Sequence, residues 1–360
     1  MLPHLERVLQ EARFWANGLI KRLKTVQTVE TILLPDSSSP SLDAAIDSAC
    51  ALLRRGSVVG VPSETVYGLA GDALDSNAAA KIFEAKQRPF FDPLICHLPS
   101  IEWLDRLAVL GGQQRELAER LARRFWPGPL TMVVPRSDLV PELVCSGLST
   151  VALRMTAHPV FQAVLERFGG PLAAPSANRF GRISPTSAGD VFTELAGRIP
   201  MILDGGVTLH GLESTIVAVE QSGLRILRSG PVVAEDLASE AMILSASAES
   251  ECRTKVEAPG QLESHYAPQT ALILGRPGDY SLEQRAGRGL LAWGTPVAGF
   301  TAVELLSESR DLKEAAARLF GCMRRLDESG LSEIVAELVP ETGLGIAIND
   351  RLRRAAARGR

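Results

Sequence analysis

The sequence predicts an α/β protein built of two such units in tandem. Three observations predict it. Short apolar runs alternate with stretches of helical periodicity from about residue 41 onward, the signature of α/β architecture. After Val233 the composition changes, and a Ser-, Glu- and Ala-rich stretch from Ser245 to Glu257 ends at Ala258-Pro259-Gly260, beyond which the α/β pattern resumes. The length, 360 residues, corresponds to about two ordinary domains.

Taken in order, the first 28 residues place Leu5, Val8, Leu9 and Ala12 at helical spacing beside Arg13, Lys21, Arg22 and Lys24. Glu6, Glu11 and the lack of a long apolar core argue against a targeting signal, which leaves an N-terminal extension over 1–40. The polar cluster Asp36-Ser37-Ser38-Ser39-Pro40 separates it from the body. A strand follows at 57–61. Ser76 is placed as the cap of a helix that runs to about Lys86 and is stopped by Pro89. Further strands fall at 94–98, 130–134, 151–155, 172–174 and 201–203. Strands at 215–219 and 224–227, joined by Gln221-Ser222-Gly223, form a hairpin. The first unit thus covers 41–235 and a linker 236–270. The second, over 271–360, has strands at 271–274, 290–293, 303–305 and 334–338 and helices at 312–327 and 345–357.

A net charge of −4 excludes a protein whose whole surface grips nucleic acid, while permitting a local basic cleft. Five cysteines without a CxxC spacing suggest neither a zinc cage nor a disulfide framework, so a reducing, cytoplasmic setting is expected. No apolar run reaches the roughly 18 residues that a membrane span needs. The P-loop, the GxGxxG fingerprint, the HExxH pair and the GxSxG elbow are all missing, so any nucleotide is handled by another scheme.

Several polar groups sit where strands end. Pro62-Ser63-Glu64-Thr65-Val66-Tyr67-Gly68-Leu69 follows an apolar strand, at the edge where open α/β sheets bind ligands; an ordinary turn with capping hydroxyls is the plainer reading. Lys86 continues the apolar stripe of Ala79, Ile82 and Phe83. With Arg88 it either complements the helix dipole or is aimed at an anion, a point charge and a planar fork that suit phosphate oxygens. His97 lies opposite the Leu94, Cys96 and Leu98 face, as a core histidine or a functional one. Pro175-Ser176-Ala177-Asn178 follows another strand, its hydroxyl and amide free to cap a helix or hold a substrate.

In this order, those segments together with Glu213-Ser214-Thr215-Ile216-Val217, Ile226-Leu227-Arg228-Ser229-Gly230-Pro231 and His265-Tyr266-Ala267-Pro268 resemble the YrdC-like threonylcarbamoyl-AMP synthase family in its long, two-domain form. The resemblance runs from about residue 40 to the end. It implies a twisted, open mixed sheet with helices, followed by a smaller Rossmann-like α/β domain. It also implies a nucleotidyltransferase that condenses L-threonine, bicarbonate and ATP into threonylcarbamoyl-AMP and pyrophosphate for tRNA modification. Lys86, Arg88, Ser176 and Asn178 match the family's KxR…SxN tetrad. Thr65, His97, Arg154, Ala174 and Ser214 would surround L-threonine. Arg88, Asp92, Ser149, Ser176, Ser184, Arg228 and Tyr266 would contact ATP. Asp92 stands where asparagine is usual, an acid that would repel a triphosphate unless a cation intervenes.

The resemblance further implies Mg²⁺ with the ATP, a linker that closes over the cleft, and a downstream tRNA threonylcarbamoyl transferase as partner, with weak RNA binding. Two other readings stand beside it: a double-stranded RNA-binding module of the same fold, and a carbamoyl-transfer enzyme using carbamoyl phosphate. Arg351, Arg353, Arg354, Arg358 and Arg360 make a basic C-terminal end, read here as a solvated helix face.

Overall fold

The computed structural model describes residues 41–244, 257–260 and 266–357, together with the backbone of 32–34. The proposed N-terminal helix, His265 and most of the Ser-rich stretch lie outside the described residues. Ten strands form one mixed sheet. In chain order they are β1 (Ile32–Leu34), β2 (Val59–Val61), β3 (Gly68–Asp72), β4 (Ile95–His97), β5 (Leu130–Pro135), β6 (Thr150–Arg154), β7 (Leu172–Ala173), β8 (Met201–Leu203), β9 (Thr215–Glu220) and β10 (Gly223–Arg228). Their order across the sheet is β1-β8-β2-β3-β7-β4-β6-β5-β9-β10. The edge strand β1, which pairs in parallel with β8, comes from the segment read as an extension.

Helices cover both faces. On one side α1 (Leu42–Arg54) packs with the later helix Pro159–Phe168 over Val59, Val61 and Leu172. On the other, α2 (Ser76–Lys86) and the helix Gly112–Phe125 bury Ile82, Phe83, Leu117 and Leu121 against Leu69, Met132 and Leu153. Each of these helices shows one apolar stripe, as burial against a sheet requires.

The local chemistry around α2 differs from the sequence reading. Asp75, not Ser76, caps the helix, accepting a hydrogen bond from the Asn77 amide at 2.8 Å. Nor does Pro89 end it. Gln87 takes a left-handed conformation (φ 53°), and the Arg88 and Gln87 amides return to the Phe83 and Glu84 carbonyls, a Schellman ending. A second difference concerns 62–69. β3 begins at Gly68 and runs back antiparallel to β2, with Val61 opposite Gly68 and Val59 opposite Ala70. Its sequence, Gly-Leu-Ala-Gly-Asp, lacks the β-branched residues that advertise a strand, so pairing and burial decide its state.

The hairpin of β9 and β10 turns at Gln221-Ser222, with Gly223 already paired to Glu220. After it the chain passes through Ala258, Pro259 and Gly260 and reaches a second sheet. Its strands β11 (Leu272–Leu274), β12 (Arg288–Ala292), β13 (Ala302–Leu305) and β14 (Glu333–Ala336) are all parallel, in the order β11-β14-β12-β13. The helices Leu312–Asp327 and Leu344–Ala356 cover it, close to the ranges that periodicity predicts. The apolar cluster beneath them takes in Val66, Ile183 and Leu212 of the first sheet's loops, so the two units share one packed interface. Among the described residues no helix is long and apolar enough to cross a membrane.

Candidate active site

A cleft of about 550 Å³, part of it open to solvent, lies where β2, β4 and β6 end. Strands that finish together at one edge of an open sheet leave such a crevice. Ser63 and Thr65 reach it from beyond β2, His97 from the end of β4 and Arg154 from the end of β6; His97 and Arg154 are registered partners on adjacent parallel strands. Ala174 and Ser176 follow β7, Ser214 precedes β9, and Arg228 ends β10. Pro259, Gly260 and Tyr266 come from the link to the second unit.

Lys86 and Arg88 divide their labour. Separated by the left-handed Gln87, they leave the helix end toward different partners. Arg88 lines the cleft, whereas the Lys86 ammonium sits behind the wall and donates to the carbonyl oxygens of Ser176 and, at 2.6 Å, Asn178. The expectation that Lys86 faces an anion directly is corrected accordingly: it acts on the cleft by holding the loop that carries Ser176. Burial and the adjacent Arg88 push Lys86 well below the ordinary lysine range. Asn178 keeps the loop tight by donating its amide to the Arg179 and Arg182 carbonyls, both at 2.9 Å, and its Oδ1 is buried without a hydrogen-bond partner among the described residues.

Asp92 does not face the cleft. Fully buried, it lies 2.9 Å from Arg88 Nη2, and Arg88 also donates to the Asp92 and Pro93 carbonyls. Burial raises its pKa, against the pull of Arg88, Lys86 and Arg228. The acid is therefore sheathed by its own cation rather than set against a ligand. Ser149 is likewise apart: it is exposed and precedes β6, at the end of the strand opposite Arg154. Five residues of extended chain amount to roughly 16 Å. Ser184 is buried one layer back, its hydroxyl on Glu213 Oε1.

The wall carrying Arg154 depends on Glu64, a residue whose role the sequence left unread. Arg154 Nη2 donates to Glu64 Oε1 at 2.6 Å, Nη1 to Thr65 Oγ1 at 2.9 Å and Nε to the Gly128 carbonyl at 3.1 Å. Burial alone would raise the Glu64 pKa, yet Arg154 and the Thr156 hydroxyl bring it down to about 2. His97, its ring tilted at 39° and 4.8 Å from the Phe161 ring, has its pKa lowered to about 3 by burial and by Arg154. At neutral pH it is an uncharged imidazole.

Opposite them, Ser214 accepts from Arg228 at both its carbonyl and its hydroxyl, which also meets Thr131 Oγ1 at 2.7 Å. Arg228 further contacts the Pro259 carbonyl. Gly260 passes so close that a Cβ there would meet the Tyr266 hydroxyl at 2.6 Å. Arg154 and Arg88 each have a carboxylate within ion-pair distance, whereas among the described residues Lys86 and Arg228 have none. With Arg88, Arg154 and Arg228 lining one crevice and Arg228 lacking a counter-ion among the described residues, the crevice suits an anion.

Comparison with known proteins agrees with this arrangement. The Sua5/YciO/YrdC family model, described as telomere recombination, matches residues 51–230, and the threonylcarbamoyl-AMP synthase C-terminal domain matches 232–357. The chain is 40% identical over 323 residues to threonylcarbamoyl-AMP synthase of Pyrococcus abyssi, covering 86% of this chain and 93% of that one. It is 38% identical over 328 residues to the Bacillus subtilis protein of the same name, covering 87% and 93%. The crystal structure of P. abyssi Sua5 complexed with L-threonine superposes with a TM-score of 0.79 at 36% identity, over 92% of this chain and 98% of that one. With both units matched in order and Lys86 of the KxR segment bonded to the loop that carries SxN, this chain belongs to the Sua5/YciO/YrdC family in its two-domain form.

Proposed function

We propose that this protein is an L-threonylcarbamoyladenylate synthase, a nucleotidyltransferase that joins L-threonine, bicarbonate and ATP and releases pyrophosphate. The observation that carries the reading is the cleft lined by Arg88, Arg154 and Arg228, of which Arg228 has no carboxylate within ion-pair distance among the described residues, in a chain whose relatives are named for this product. The threonine amine forms a carbamate, either adding to CO2 with loss of a proton or condensing with bicarbonate with loss of water. A carbamate oxygen attacks the α-phosphorus of ATP, the bond to the bridging oxygen breaks, and pyrophosphate leaves. The nucleophile belongs to the substrate, so the protein positions the reactants and offsets charge.

Two anions must meet in that step, and the roles follow from the geometry. Arg88 and Arg228 line the cleft and oppose phosphate charge. Arg154, its fork fixed by Glu64 and Thr65, holds the threonine carboxylate beside the neutral His97. Ser176, on the loop anchored by Lys86, orients carbamate or phosphate oxygens. Mg²⁺ arrives with the triphosphate: the described residues hold no group of three or more His, Cys, Asp or Glu side chains that could ligate it, and Asp92 is engaged by Arg88. When bound with the triphosphate, the ion would screen phosphate charge beside Arg88 and Arg228. The product is passed to a tRNA threonylcarbamoyl transferase, since an acyl adenylate hydrolyses readily. Release of pyrophosphate from ATP, with threonine and bicarbonate omitted in turn, tests the reading. Dependence on both is expected; release that ignores threonine sinks it.

A further inference from the structure

The cleft wall contains an acid, Glu213, that the reaction as written does not use. Its Oε1 accepts from Ser184, and its Oε2 accepts from Nε of Arg351 at 3.1 Å. Arg351 does not belong to the first unit. It projects from the last helix of the second unit and is fully buried, correcting its reading as part of a solvated face; Arg353, two residues on, is exposed. Its guanidinium lies over the Tyr266 ring at 5.3 Å, and that ring stacks on Phe320 at 5.6 Å. Both contacts end on residues that line the cleft, while Arg351 itself does not line it.

We propose that Arg351 is a positioning residue for the active site, supplied across the domain interface, which fixes the Glu213 carboxylate and the Tyr266 ring in the cleft wall. The proposal rests on the cleft binding a triphosphate. Charge explains why such a residue is needed. Glu213 stands in a wall that must admit an anion, beside Arg228, whose charge it would otherwise neutralise. An arginine behind the wall turns the carboxylate away from the ligand and removes its repulsion. The same guanidinium, through its contact with the electron-rich ring face, seats the Tyr266 side chain. A second arginine of that unit acts in parallel on the neighbouring loop: Arg324 donates to the Ile183 carbonyl at 3.0 Å and pairs with Asp190 at 3.3 Å. The segment from Ser176 to Ser184 is thus held by Lys86 from one unit and by Arg324 from the other.

The test uses the full chain with Arg351→Met, which keeps the stem and removes the charge, and Arg351→Met combined with Glu213→Gln. Circular dichroism first shows that each variant folds. In Arg351→Met the KM for ATP is expected to rise at least about tenfold, with kcat changed by less than about threefold, because a binding-wall charge is altered and no reacting group is lost. The double variant is expected to recover most of that loss, since the unpaired acid is gone. An unchanged KM in folded Arg351→Met, or a double variant no better than the single, overturns the proposal. Hydrogen exchange over 211–215 gives a readout that needs no turnover. Faster exchange in Arg351→Met supports the positioning role and equal exchange refutes it, even if the wild-type chain releases no pyrophosphate, an outcome that would instead end the functional reading.

Discussion

Lys86 is a buried cation whose worth lies in what it holds. Removing it frees the Ser176 and Asn178 carbonyls at once, so Lys86→Ala is expected to lose at least about a hundredfold in pyrophosphate release, the scale of one lost oxyanion-type donor. Arg88→Ala, which strips a cleft-lining fork and leaves Asp92 buried without its cation, is expected to lose as much and also to melt lower. Steady-state rates with thermal melts separate the two. Two other residues set an acid limit. His97 binds its proton only near pH 3 in the folded chain and near 6.5 when unfolded; Glu64 does so near 2 against 4.5. Between these values the unfolded chain holds more protons, so stability falls as pH drops from 6.5, with a slope of up to about 1.4 kcal/mol per pH unit for each group. Urea titrations at pH 7.5, 5.5 and 4.5 should show this decline. His97→Gln should flatten the upper part of it, and a wild-type midpoint that does not move would contradict the neutral, buried histidine.

At the scale of elements, the helix Ser76–Lys86 shows how an ending places chemistry. A left-handed residue between Lys86 and Arg88 turns the chain, so that two like charges two positions apart go to different partners, Lys86 to the Ser176 and Asn178 carbonyls and Arg88 to Asp92 and Pro93. Gln87 adopts that conformation with a Cβ, at a cost of about 1 kcal/mol. Gln87→Gly is expected to raise the thermal transition by about 1–2 °C without changing the rate, as a calorimetric scan can show. The opposite outcome, a lower transition, would mean that the Gln87 side chain contributes packing the φ angle does not reveal. The strand Gly68–Asp72 makes the complementary point. Its glycines let Ala174 and Ile82 approach within 3.2 Å of where a Cβ would stand, and close packing against β7 and the helix decides its state.

For the whole molecule, the interface between the units is part of the active site. Gly211, at φ 65°, passes so close to the helix Leu312–Asp327 that a Cβ would meet the carbonyl oxygens of Ala316 and Ala317 at 2.5 Å. Both obstacles are backbone and cannot swing aside. Gly211→Ala is therefore expected to spread the units, splitting one calorimetric transition into two and lowering pyrophosphate release several-fold. A single transition at the wild-type temperature would show that the interface tolerates the shift. A chain with net charge −4 can hold a cationic cleft because its nearby acids are engaged by arginines: Glu64 by Arg154 and Asp92 by Arg88 within the first unit, and Glu213 by Arg351 across the interface, while among the described residues Arg228 has no carboxylate within ion-pair distance.

Much of this was legible in the residues alone. Strand positions such as 130–134 and 201–203 and the helix over 312–327 follow from periodicity and breakers, because these signals act over a few residues; the grouping of Lys86, Arg88, Ser176 and Asn178 comes only from the family resemblance. What the chain order could not supply were the partners. Arg154 finds Glu64 across 90 residues, and Arg351 finds Glu213 across 138. A charged side chain looks the same in sequence whether it is solvated, paired or left uncompensated. Burial and distance make that distinction, and both exist only once the sheet has brought its strand ends together and the second unit has closed against them.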